Sequence, residues 1–578
     1  MHDVDSHYYN NDRKKYSSAI ETSRSHKKVI IAGPGTGKTF IFQSLFRKIK
    51  RTSTEEGLAL TFIRNLVADL KIELAGLAKV ATFHSFCKSV LQSFKNDEFE
   101  YFPMLFEVIE ADFNILELDR NNNESIERCF FGLKDDKVIR STIKIGDYYN
   151  AASHSDSAYR VIRHFESDET RIPKYPLIVV DEYQDFNFLE TSLVEILSRK
   201  SPVLIVGDDD QALYAFKQAS PDYIRRLAHD PKFRRFELPY CSRCTKVIVE
   251  AVNKIVSIAK DIGRLDGRVD KPFKYFPPDK KEDSKKHPEI INIHCSVERK
   301  NCHYIGKFIG KEIERIPLSY IRESADLKEP TVLVIGPKQF LEGVKQEMLL
   351  KFGRVPEKAR EDRAVNLLDG YKLVAKKEMS RLGWRILLHC DPCMPVEKTV
   401  KKAISGNKDL YNLISSRKYI SHHYEMAIII KKILERIELT PGELRAIETR
   451  LGLPFEEITA MLSADPEEGY TKEQDTGRDA DKPHILCTSF EGAKGLAAQY
   501  VFIVGLNENH FPRKTPPSNR DIYRLIVAIT RTRKKCFMIS CGNFAGEILR
   551  PSIFKSWLKD ELSREMYIDK SFISKYCC

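Results

Sequence analysis

The stretch "KVIIAGPGTGKTFIFQSLFRKIK", Lys28 to Lys50, constrains this chain more than any other. An apolar run of strand length enters a loop with glycine at 33, 35 and 37. Apolar residues at helical spacing follow. A strand, a glycine-rich turn and a helix in that order call for a crossover to a parallel neighbour, and so for an α/β fold. Such a loop turns its backbone N–H groups toward phosphate oxygens, and the helix N-terminus adds positive potential. Gly33, Pro34, Gly35, Thr36 and Gly37 form the cradle. Lys38 is placed to reach the β and γ phosphates of ATP, and Thr39 to hold Mg²⁺ through its hydroxyl. Ala32 stands where the strict pattern has glycine.

The alternation continues with "GLALTF" and "KVATF" as strands around the helical "NLVADLKIELAGL". It lapses between about Ser89 and Pro176, where the text is polar and mostly helical. It returns at "YPLIVVDEY" and "PVLIVGDDD". A second alternating region begins near Phe236, with "VIVEAVNKIVSIA" as a helix and "TVLVIGP" as a strand. Within it "KPFKYFPPDKKEDSKKHPE" reads as a long, solvated surface loop. From about Gln346 to Pro483 the chain is helical again. There "LTPGELRAIETRLGLPFEEITAMLS" reads as helix, glycine turn and helix, with Thr440 and Glu443 as a capping box around Pro441. "ADPEEGYTKEQDTGRDADKP" reads as an acidic linker, after which "HILCTSF", "YVFIVGL" and "CFMISC" are strands.

"LIVVDEYQD" ends a buried strand in Asp181 and Glu182. Ligands of open parallel sheets lie at the carboxyl ends of strands. Asp181 is thereby placed to hold Mg²⁺ through water, and Glu182 to activate the attacking water. "IVGDDDQALYAFKQAS" ends another strand in three aspartates and Gln211, with Tyr214 and Phe216 close behind. Asp208 to Asp210 read as turn-shaping residues. The two aromatics fit either core packing or base stacking.

These motifs, in this order, resemble the UvrD/Rep type of superfamily 1 DNA helicases, over nearly the whole chain. The resemblance implies two RecA-like P-loop motor domains with parallel sheets, each carrying a mainly helical insertion. The first motor is expected at 1–88 and 176–235, with its insertion at 89–175. The second is expected at 236–345 and 484–578, with its insertion at 346–483. The implied activity is ATP-dependent, 3′→5′ movement along single-stranded DNA with duplex unwinding, in repair, recombination or defence. Gln211 is then a γ-phosphate sensor, and Arg243 and Arg531 are cations supplied from the second motor. DNA contacts are implied for Phe62, Arg64, Thr82, His84, Tyr214, Phe216, Lys217 and Lys494. Phe216 takes the place of a base-stacking tryptophan. Departures from the family pattern are the missing adenine-reading glutamine before the loop, Ser242 for tyrosine, Glu491 for histidine and Ala497 for glutamate. Glu491 is expected to repel a phosphate backbone.

Two other readings compete. "GPGTGKT" alone also fits an AAA-type remodelling ATPase, against which "DEYQD" and an arginine within the same chain argue. A DNA-stimulated ATPase subunit that switches conformation in a repair or anti-phage complex is the second. The net charge of +12 and pI of about 8.9 suit a polyanionic partner such as nucleic acid, and the resemblance implies single-stranded DNA and single/double-strand junctions. No apolar run of membrane-spanning length occurs. The polar start lacks a secretory signal, and the thirteen scattered cysteines fit a reducing cytoplasm. Cys241/Cys244 and Cys390/Cys393 are two Cys-x-x-Cys pairs that together offer a zinc set. The chain stops soon after its last motif, so no appended nuclease domain is expected.

Overall fold

Six short runs pair as one parallel sheet: β1 (Lys27–Ile31), β2 (Gly57–Thr61), β3 (Ala78–Thr82), β4 (Ile178–Val180), β5 (Val203–Gly207) and β6 (Arg234–Glu237). A second parallel sheet holds β7 (Ile290–Cys295), β8 (Val332–Ile335), β9 (Ile485–Thr488), β10 (Ala498–Ile503), β11 (Thr532–Cys541) and β12 (Ser563–Ile568). The computed structural model describes residues 2–572 except 52, 62–63, 96–98, 120–124, 134–135, 299–301, 353–363, 393–394, 464–478 and 560.

The strand order is β3-β2-β4-β5-β1-β6 in the first sheet and β9-β8-β10-β11-β7-β12 in the second. Counted within each sheet, these are the same permutation. β5 and β10 are buried at every residue, as expected for central parallel strands covered on both faces. The expected α/β class with two parallel sheets is therefore present. β6 spans Arg234–Glu237 and pairs with β1, so the division expected at 235/236 falls inside a strand of the first sheet.

The helical stretches leave the sheets at different crossovers. One lies between β3 and β4, the other between β8 and β9. The predicted helix pair is present as Pro441–Leu451 and Phe455–Ser463. Thr440 and Glu443 form the capping box, and Gly452 caps at φ 65°. The expected surface loop at 271–289 is overturned. Pro277–Lys286 is a helix with proline in its first turn, and Lys271, Phe276 and Lys280 are buried. Its polar composition hid the periodicity that identifies helices. The acidic linker falls mostly outside the described residues.

The two helical stretches pack on each other and share one apolar core with the first sheet. At their junction Arg385 Nε donates to Asp112 Oδ1 at 2.7 Å, with both side chains almost fully buried. Tyr149 donates to the other Asp112 oxygen at 2.6 Å, and Tyr148 donates to the Lys408 carbonyl at 2.9 Å. Burial raises the Asp112 carboxyl from its ordinary value, with Arg385 pulling against the rise. Asp112→Ala leaves a buried guanidinium without its carboxylate, at a cost of about 3–5 kcal/mol. The first thermal transition is expected to fall. An unchanged transition would assign the junction to apolar packing alone.

Candidate functional site

The carboxyl ends of β1, β5 and β4 are neighbours, and the three loops leaving them meet. The β1 loop is tied to β5 by Ala32 N–H donating to Gly207 O at 3.0 Å. Gly35 lies at φ +66°, and a Cβ there would sit 2.5 Å from Arg243 Cβ. Only glycine lets the Cys241–Arg243 segment approach this loop so closely. Ser242 N–H closes the contact by donating to Gly35 O at 2.9 Å. Gly207 is equally confined, because a Cβ would meet Gln184 Oε1 at 2.4 Å. That oxygen accepts from Asp208 N–H at 2.9 Å.

Lys38 opens the helix Lys38–Lys50, and its Nζ stands 3.9 Å from Glu182 Oε1. Burial alone would lower its pKa, but Glu182, Asp181 and Asp208 raise it overall. Glu182 sits at φ 54°, an unusual backbone region for a non-glycine residue. Burial lifts the Asp181 carboxyl, and adjacent Glu182 lifts it further. Burial also opposes the Glu182 charge, yet Lys38 and Lys494 hold that carboxyl below its usual range. Glu182 thus carries a firm negative charge, whereas Asp181 is poised to gain a proton or a cation. Thr39 and Asp181 can hold Mg²⁺. The left-handed glycines at 35 and 37 and the raised Asp181 carboxyl suit a polyphosphate–metal pair.

Gln211 is a hub. Its Nε2 donates to Asp208 Oδ2 at 2.6 Å, and its Oε1 accepts from Arg531 Nη2 at 2.9 Å. Arg531 is nearly fully buried and also donates to the carbonyls of Val527 and Leu496 and to Thr530 Oγ1. These acceptors are all neutral. Burial, then the nearby Arg243 charge, pulls the guanidinium down to about 9. Arg243 therefore lies near both Lys38 and Arg531, with positive charge held ready for an anion.

The three aspartates hold cations of the protein itself. Lys271 Nζ lies 3.0 Å from Asp208, 2.5 Å from Asp209 and 2.7 Å from Asp210. Arg268 grips Asp210 through Nε and Nη2 at 2.8 Å, and Arg225 Nε reaches Asp209 at 3.1 Å. Among the described residues these aspartates are the one acidic grouping close enough for a metal, and the Lys271 ammonium occupies its centre. Their turn-shaping role is therefore exercised through Lys271, Arg268 and Arg225, which sequence reasoning missed. The Arg268 and Lys271 pairings span about 60 positions and the Arg225 pairing 16, so none leaves a local pattern; only the basic "GRVDK" hinted at it.

Lys494, expected on DNA, is buried in the cleft. Its ammonium bonds Asp185 and donates to the Gln211 carbonyl at 2.8 Å, with Glu182 at 3.5 Å. Burial raises the Asp185 carboxyl to about 7 while Lys494 opposes the rise. The cation type was legible, but not the side of the cleft it serves. Glu491 is also corrected. Arg524 donates to it at 2.9 Å and Arg520 at 3.1 Å, so its charge is matched within the protein.

Phe216 is 46% exposed, which removes the core-packing reading for that ring. Tyr214 lies 5.8 Å from it and carries the Lys494 ammonium 5.7 Å from its ring centroid. Thr82 caps the helix Phe83–Phe94 through Ser85 N–H at 2.9 Å, and His84 lies 3.9 Å from Glu190. Glu190 also feels Lys217, so His84 and Lys217 flank one carboxylate. The Phe62 expectation lies outside the described residues, as does the Arg64 side chain. Cys241 and Cys244 are buried at the cleft and Cys390 is half-buried in the helix Arg381–Cys390. Cys393, the fourth member of the zinc set, is outside the described residues.

A family model described as an AAA domain matches residues 17–217. A probable DNA helicase II homolog of Mycoplasma capricolum subsp. capricolum is 22% identical over 93% of this chain and 85% of its own. The ATP-dependent DNA helicase PcrA of Staphylococcus epidermidis is 23% identical over 91% of this chain and 83% of its own. The ATP-dependent DNA helicase Rep of Buchnera aphidicola subsp. Baizongia pistaciae is 24% identical over 43% of each. With two parallel sheets of one strand order and a cleft lined from both, the chain is similar to the UvrD/Rep type of superfamily 1 helicases.

Proposed function

We propose that this protein hydrolyses ATP to move 3′→5′ along single-stranded DNA and to open duplex at single/double-strand junctions. One observation carries the reading. Arg531 bonds the Gln211 side chain, and five residues further on the same segment presents the exposed Phe216 ring. A change at the phosphate end is thereby transmitted through a few residues to an aromatic platform suited to base stacking.

In this reading the glycine loop and Lys38 hold the phosphates, and Thr39 and Asp181 hold Mg²⁺, which neutralises phosphate charge when bound. Glu182 keeps its negative charge and takes the proton of the attacking water. Arg243 and Arg531 neutralise charge on the transferring phosphoryl group only when the two halves of the cleft meet. Hydrolysis is thus tied to closure. Bound phosphate draws Lys38 from Glu182, so the carboxylate is released to water as substrate arrives.

The test is steady-state ATP turnover with and without single-stranded DNA, followed by strand displacement on 3′-tailed duplexes. Strong stimulation and unwinding are expected. No stimulation by any nucleic acid sinks the reading, and stimulation without displacement reduces it to translocation. Phe216→Ala is expected to lower DNA-stimulated turnover about tenfold or more, from a stacking contribution of about 1–3 kcal/mol, while basal turnover holds. An equal fall in basal turnover would make the ring a structural support.

A further inference from the structure

Cys241 and Cys244 bracket Arg243 on the turn that closes over the phosphate loop. Cys244 N–H donates to Cys241 Sγ at 3.5 Å, and the two thiols hydrogen-bond each other. Cys241 Sγ lies 3.2 Å from where a Gly35 Cβ would stand. Cys244 Sγ lies 3.6 Å from the carbonyl of Thr530, the residue before Arg531. The pair therefore touches the phosphate loop on one side and the Arg531 segment on the other. Both sulfurs are fully buried, and no third ligand joins them among the described residues. This leaves dithiol chemistry as their distinctive capacity.

We propose that Cys241 and Cys244 form an oxidation site for hydroperoxides, whose disulfide form displaces Arg243 and stops ATP turnover. The Cys241 thiolate attacks one peroxide oxygen. The S–O bond forms, the O–O bond breaks, and hydroxide (or alkoxide) leaves and takes up a proton. Cys244 then attacks the Cys241 sulfur as its own proton departs. The S–S bond forms, the S–O bond breaks, and water leaves. The two thiols lose two electrons and two protons, and the hydroperoxide becomes an alcohol or water, plus water. The roles follow from the surroundings. Burial opposes the Cys241 thiolate, but the Cys244 thiol and the N–H groups of Cys244 and Arg243 outweigh it and favour that charge. Cys244 is held as a thiol, first by donating to Cys241 and then by burial, which suits the resolving partner. The sulfurs become reachable when the cleft opens, so bound nucleotide shields them.

The inference rests on the ATPase reading, and its test separates the two. The full-length protein is treated with hydrogen peroxide, with and without a non-hydrolysable ATP analogue, alkylated and cut with trypsin. Cleavage after Arg243 splits the pair into the peptides Phe236–Arg243 and Cys244–Lys246. A disulfide keeps them joined. Joined peptides are expected, slowed several-fold by the analogue, with turnover down at least tenfold and restored by dithiothreitol. Cys241→Ser should lose both the link and the sensitivity relative to its own untreated activity, and Cys244→Ser should lose the link. Unlinked peptides, or full turnover in the linked protein, overturns the proposal. A reduced protein without turnover overturns the ATPase reading and leaves the peptide result intact.

Discussion

Lys38→Ala lowers ATP turnover by about a thousandfold or more, some 4 kcal/mol of transition-state stabilisation. The ammonium stands among Glu182, Asp181 and Asp208, which together outweigh its burial and keep it charged. Alanine removes the cation aimed at the transferring phosphate. It also leaves Glu182 with Lys494 at 3.5 Å as its nearest remaining cation. Arg243 and Arg531 still attract an anion, so nucleotide affinity should fall less than turnover does. Turnover at saturating ATP and single-stranded DNA, paired with fluorescent-nucleotide binding, checks both halves. Turnover within tenfold of the parent protein would refute the phosphate role of this loop.

Lys271→Met destabilises the fold by about 3–5 kcal/mol, because it strips the shared cation from three buried carboxylates. Its ammonium touches all three, and its side chain is 3% exposed. Burial alone would lower its pKa, but the three aspartates raise it above its ordinary 10.5. A raised value for a lysine stabilises fully below that ordinary figure and is lost only as pH passes the raised one. The deficit should therefore be flat across neutral pH. Denaturant unfolding measures it, and Lys271→Met with Asp209→Asn should recover part of it. Equal midpoints for the single and double variants would attribute the loss to shape.

The sheets and the strand–turn–helix around Gly35 were legible because burial on both faces forces uninterrupted apolar runs such as "VLIVG", and three glycines between strand and helix mark a tight turn. The capping box at Thr440 was legible because it is local. The clamp on Asp208 to Asp210 was not. Arg268 and Lys271 look like any solvated charges until the fold brings them across some 60 residues. Lys494 shows the same limit from the other side, since one cation can serve a nucleic acid or a buried carboxylate equally well. The helix Pro277–Lys286 escaped notice because nine of its ten residues are not buried, which leaves no apolar stripe to read.

The seating of the second helical stretch on the first has a mechanical consequence. Residues 364–463 leave and rejoin the chain at the second sheet, yet their apolar core is continuous with the first. A displacement between the sheets is then absorbed where the chain passes to and from this stretch, rather than within it. The cleft divides the molecule unequally, into a large body of one sheet with both helical stretches and a small body of the other sheet. In the stepping cycle proposed above, the small body is the stroke and the large one the anchorage.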